Sequence, residues 1–165
     1  MPDDSDFDKI PVGSLSDNAC TPKVDDDWDF RGLRIAAPRR VPLTGKPDAF
    51  GCFARAPVCG VYQLDSNYLG FREQFRTRVI LVAVDARSHR AYANRLQTIV
   101  NPARMASPLD GMMLTEADWA GRYVTQFFNP NLVSLLALPE MAAEYIVYAT
   151  LGRYVSNVVR ITLEG

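Results

Sequence analysis

From Leu33 onward the chain is written in short runs in which apolar and polar positions alternate, each closed by Gly, Pro, Asn or Asp. A two-residue period marks strands with one buried face. It is clearest over Ala143–Leu163, where two such stretches flank the short turn Gly152-Arg153-Tyr154 and predict a hairpin. On the first strand Tyr145, Val147, Ala149 and Leu151 share a face; on the second Val155, Asn157, Val159, Ile161 and Leu163 do. A hairpin cannot bury its own apolar face, so a second sheet or a helix must lie against it.

The preceding runs supply further strands. Leu33–Ala37 is the first, closed by Pro38, and Val41–Leu43 continues it after a kink, with Pro42 confining it to an edge or a bulge. Val79–Val84 is apolar on both alternating sets, which predicts a central strand covered on both faces, and Arg90–Leu96 returns from the turn Asp85–His89. Tyr123–Phe128 is another strand, and Asn129-Pro130 opens one or two helical turns that end before Pro139. Phe50–Gln63 reads as a hairpin around Ala54-Arg55-Ala56-Pro57, which sets Cys52 opposite Cys59. Opposed residues in such a pair lie within disulfide reach. Two reduced cysteines beside Gly51 and Gly60 are the other reading, and Cys20 is the odd one out.

Roughly eight turn-separated strands, with helix confined to one or two short turns, predict a mainly all-β domain over residues 31–165, an antiparallel β-sandwich. Over about 20 residues the last hairpin resembles the closing pair of immunoglobulin-like or fibronectin-like sandwiches, without their Cys–Trp–Cys framework.

Two stretches fit this pattern less well. Tyr68–Arg76 mixes large aromatics with Arg, a composition enriched at binding hot spots, although Phe71 and Phe75 also suit one face of a short helix under the sheet. Residues 101–120 form a long connection holding Met105, Met112, Met113 and Trp119, with a helix-start pattern at Thr115–Asp118. Its Met side chains suit either an adaptable contact surface or the cap of a core.

Charge changes the picture at the N-terminus. Residues 1–30 carry nine Asp and two Lys, a net charge of −7, against +6 for the remaining 135 residues. Residues 1–30 are therefore read as an acidic, flexible arm on a mildly basic body. The cations are 15 Arg and three Lys; genome composition and an Arg-rich surface for bidentate carboxylate contacts both account for that excess. No basic run exceeds Arg39-Arg40, so no nucleic-acid partner is expected. The chain opens with neither a basic nor an apolar targeting region, and no apolar run is long enough to span a bilayer. A cytoplasmic protein without membrane insertion is the expectation.

Chemical groups are sparse. His89 is the sole histidine and shares a predicted turn with Asp85 and Ser88, but triad members meet through the fold rather than by adjacency. No nucleophile elbow, zinc-protease helix, P-loop or dinucleotide fingerprint occurs. One His and no C-x-x-C leave zinc without ligands, and Asp25-Asp26-Asp27-Trp28-Asp29 lacks the spacing of a calcium loop. No catalytic residue, metal or cofactor is assigned. The expectation is a non-catalytic protein-binding or assembly module, with Tyr68, Phe71, Arg72, Phe75, Met112, Met113 and Trp119 as its contact surface. Three alternatives remain: an inhibitor or immunity-type protein using the acidic arm, a self-assembling structural protein, and a small enzyme with a non-motif active site.

Overall fold

The computed structural model describes residues 3–24, 29–47, 51–65, 79–96 and 116–165. Strands β1 (Gly32–Ala36), β3 (Cys59–Asp65) and β6 (Tyr123–Phe128) form an antiparallel sheet in the order β1-β3-β6. A second sheet runs from β2 (Arg40–Pro42) through β9 (Val159–Glu164), β7 (Ala143–Leu151) and β4 (Ile80–Asp85) to β5 (Ala91–Arg95). Strand β8 (Tyr154–Val155) pairs with the end of β7. All pairings are antiparallel except β2 with β9, where Pro42 takes the edge position its missing N–H requires. Helix among the described residues comprises a 3-10 turn at Asp4–Phe7 and two short α-helices, Glu116–Trp119 and Leu132–Leu136. The chain is thus mainly β, with antiparallel and mixed sheets.

Inward residues of both sheets join one core, with Leu33, Tyr62 and Leu64 from the smaller sheet meeting Leu81, Tyr145, Val147 and Ile161 from the larger. The alternation of β7 buries Tyr145, Val147, Ala149 and Leu151, the set its period predicts. Strand β4 departs from expectation. Leu81 and Ala83 are fully buried, but Ile80, Val82 and Val84 are only half-buried. Val82 lies opposite Tyr148 and Val84 opposite Ile146, so large side chains shield one another across the strands on the outer face.

The final hairpin changes register partway. Gly152, at φ +57°, makes the tight turn, and Thr150 pairs with Val155; beyond the break Val147 pairs with Val159, which leaves one extra residue on the return strand. An inserted residue flips every side chain before it to the other face. Val155 is therefore 62% exposed and Asn157 is exposed, while Ser156 is buried, contrary to the face assigned from sequence. Ser156 fixes the break: its N–H donates to the Ala149 carbonyl, and its Oγ accepts from the Ala149 N–H.

The expected hairpin over Phe50–Gln63 does not form. Residues 54–56 bond instead to Asn131, whose Oδ1 accepts from the Ala56 N–H and whose Nδ2 donates to the Ala54 carbonyl. Cys52 is thereby not opposed to Cys59. The disulfide is Cys20–Cys59, with a Cα–Cα distance of 5.9 Å, and Cys52 lies outside it.

That bond belongs to a larger correction. Over residues 3–24 the segment read as a flexible arm packs on the body, with Phe7, Ile10 and Cys20 buried against Cys59 and Ala36. Strand β3 is the middle strand of its sheet, and its outward residues Cys59, Val61 and Gln63 need cover. Phe7 and Ile10 point inward while Asp3, Asp8 and Lys9 face water. Arg55 holds the segment by donating to the carbonyls of Phe7, Asp8 and Ile10. Gly13 donates to the Asn129 carbonyl, and Asn129 Nδ2 to Ser14 Oγ.

Candidate functional site

Where the N-terminal segment meets the two sheets, a groove of about 940 Å3 opens to solvent. One wall is Ala19, Thr21, Pro22 and Lys23; the floor is Ile35–Ala37 of β1 and its exit; the opposite wall is Arg39 and Arg40 at the start of β2, with Val158 and the β9 residues Val159, Arg160 and Thr162. Three segments distant in sequence meet here because β2 pairs with β9 while Asn157, just before β9, ties down β1. Its side-chain amide accepts from the Ile35 N–H and donates to the Ile35 carbonyl, both at 2.9 Å. Asn157 thus satisfies part of an edge that would otherwise be open.

The lining is strongly cationic. Among the described residues it carries Lys23, Arg34, Arg39, Arg40 and Arg160 against two carboxylates, Asp4 and Glu144. Each carboxylate is already engaged: Asp4 Oδ1 accepts from the Arg39 N–H at 2.9 Å, and Glu144 Oε1 from Arg160 Nη1 at 2.7 Å. Arg40 pairs loosely at 3.5 Å with Glu164. Arg34 lies 4.3 Å over the Phe30 ring and donates to the Lys23 carbonyl, so its guanidinium is held in place. Oriented guanidinium forks over an apolar floor are suited to bidentate capture of carboxylates. Val158, 59% exposed, adds an apolar contact at the rim.

Tyr68, Phe71, Arg72, Phe75, Met112 and Met113 lie outside the described residues. Trp119 ends the helix Glu116–Trp119. The groove was not legible as a site: of its cations only Arg39-Arg40 are adjacent in sequence. The general excess of Arg was the one signal pointing to it.

His89 occupies an exposed turn with φ +58°. Asp85 organises that turn by accepting from the N–H groups of Ser88 at 2.7 Å and Arg87 at 2.8 Å. Those two backbone bonds hold the Asp85 carboxyl below its ordinary value. Asp85, Ser88 and His89 therefore have a local structural role in the turn. Among the described residues there is no cluster of three metal-ligating side chains, and no helix long and apolar enough to cross a membrane. The chain matches no family model, no curated protein and no solved structure.

Proposed function

We propose that the protein is a non-catalytic protein-binding module, a β-sandwich that receives an acidic polypeptide segment in the groove between its N-terminal segment and β2–β9. The observation that carries this reading is the lining, five cationic side chains against two carboxylates over an apolar floor. Immunoglobulin-like connectivity is not needed for it; two sheets sharing one core and an edge tied down by Asn157 support the sandwich reading. A carboxylate entering the groove replaces solvent, or Glu144 on Arg160 and Glu164 on Arg40, so recognition is in part an exchange of ion pairs. Such an exchange depends steeply on salt. The side-chain carboxylates of an acidic segment suit the cationic rim, and its apolar side chains suit the floor.

The test is fluorescence anisotropy with a fluorescein-labelled deca-glutamate peptide, at low and high salt. Saturable binding that fails at high salt and in the double variant R39E/R160E is expected, while reversal of Arg87 and Arg90, which lie outside the lining, leaves it intact. Equal binding of a deca-lysine peptide, or binding indifferent to R39E/R160E, removes the proposal. A preference for an oligonucleotide over the peptide does the same.

A further inference from the structure

We infer that the Cys20–Cys59 disulfide is a redox latch on this groove: oxidised, it holds the Ala19–Lys23 wall in place, and reduced, it lets that wall move and weakens capture of the acidic segment. The inference rests on the groove reading given above. Cys20 is fully buried, Cys59 is 1% exposed, and the residues flanking Cys20 on both sides line the groove. Every residue from Pro11 to Ala19 is exposed or half-buried, so Cys20 is the first buried side chain after Ile10. The wall's own hydrogen bonds are local, Asn18 N–H to Thr21 Oγ1 and Thr21 N–H to the Asn18 carbonyl. Arg34 to the Lys23 carbonyl adds one tie to the body. Thr21, 6% exposed, and Val24, 4% exposed, add buried contacts at the end of the wall, and the disulfide is its covalent link to β3.

The chemistry is thiol–disulfide exchange with a dithiol. The dithiol delivers two electrons and two protons, the Cys20–Cys59 bond breaks to two thiols, and the dithiol leaves as a disulfide; the reverse recloses the latch. After cleavage the two sulfurs need more room than the bond gave them, inside a small cluster with Phe7, Ile10 and Ala36. The N-terminal pieces differ in their other anchors, since Phe7 and Ile10 keep the bonds from Arg55, whereas residues 18–23 lose their link to β3. Disulfides persist in oxidising compartments and open in reducing ones, so the latch would report the compartment to the groove.

The test uses the full chain with Cys52→Ser, so that a single disulfide is available, oxidised and then reduced with dithiothreitol. Two readouts are taken: amide hydrogen exchange, and affinity for the labelled deca-glutamate peptide. Reduction is expected to speed exchange at Thr21 at least tenfold with β4 and β7 unchanged, and to weaken peptide binding at least fivefold, both restored on reoxidation. The double variant C20A/C59A should match the reduced form. Unchanged exchange at residues 18–23 overturns the latch, as does acceleration throughout β4 and β7, which would make the bond a general staple. Faster exchange without loss of affinity overturns it as a control on the groove. If the oxidised protein does not bind the peptide, the groove reading fails, and exchange alone decides whether the wall is latched.

Discussion

Asn131 joins two parts of the fold through one side chain, and its removal gives a quantitative test. Its Oδ1 accepts from the Val133 N–H at 3.3 Å, capping the helix Leu132–Leu136, and from the Ala56 N–H at 3.1 Å, while Nδ2 donates to the Ala54 carbonyl at 3.2 Å. Ala54 and Ala56 are 2% and 0% exposed, so water does not readily replace the lost partners. Loss of an N-cap costs about 1 kcal/mol, and stranding a buried backbone donor and acceptor costs about 2 kcal/mol more. Asn131→Ala is therefore expected to destabilise the protein by about 3 kcal/mol, or to lower Tm by roughly 9 °C in a chain of this size.

Asn131→Ser separates the two contributions. A serine Oγ still caps the helix but is too short to reach both Ala54 and Ala56, so it should recover about 1 kcal/mol of the loss and no more. Urea unfolding followed by tryptophan fluorescence measures both variants, with an unchanged m-value confirming that stability alone has moved. A loss below 1 kcal/mol for Asn131→Ala, or full recovery by Asn131→Ser, would refute the claim that this side chain holds residues 54–56.

Three further outcomes follow from single sites. Gly60 lies opposite Phe128 across β3 and β6, where an added Cβ would fall inside the ring, so Gly60→Ala should cost about 1–3 kcal/mol by urea unfolding, part of it regained with Phe128→Leu. The Asp85 carboxyl should titrate below the ordinary Asp value in a carbon-13 NMR titration. Its contribution to stability is then complete above the unfolded-state value and fades as pH falls through the lower folded value; a midpoint at or above the ordinary one contradicts the turn geometry. The Tyr145 hydroxyl is buried with no hydrogen-bond partner among the described residues, and burial, with smaller contributions from Tyr92 and Asp85, pushes it to about 12. Because the folded value is raised, stability should fall as pH rises from about 10 towards 12 in the wild type but not in Tyr145→Phe, which at neutral pH should lose nothing; a loss above about 1 kcal/mol would reveal a partner.

The parts of the fold that alternation alone determines were legible. Strands β1 and β7 fall where the period of two places them, because each buries alternate residues on the shared core and a one-residue error would reverse that face; β4 falls where its continuous apolar run places it. Where a single polar residue overrides the period, the sequence misleads. Ser156 inserts a register break that no alternation announces, and Asn131 draws residues 54–56 away from the hairpin their composition suggests. The N-terminal segment failed for a related reason. Its Asp content is that of a solvated tail, but Phe7, Ile10 and Cys20 face inward to cover the outer side of β3, and with Thr21 and Val24 they are five buried residues among the 22 of 3–24, too irregularly spaced to leave a periodic trace.

The groove was illegible because it is a product of topology. Arg34 stands there because β1 alternates, with Leu33 and Ile35 inward. Arg39 and Arg40 stand there because β2 runs parallel to β9, which a hairpin could not achieve and which requires the long connection through the rest of the chain. Arg160 stands there because it alternates with the buried Ile161 and Leu163 of β9, and the pairing of β9 with β2 and β7 brings that outer face to the groove. Lys23 is carried in by the disulfide, 39 residues from its partner. Four independent events each deliver a cation to one face. A body with a net charge of +6 gives a general bias towards such clusters, but not their number at one place, and carboxylates are kept to two, both engaged. A charge-reversing substitution at Arg160 therefore tests that convergence: it should weaken peptide binding, whereas reversal of a cation outside the lining should not.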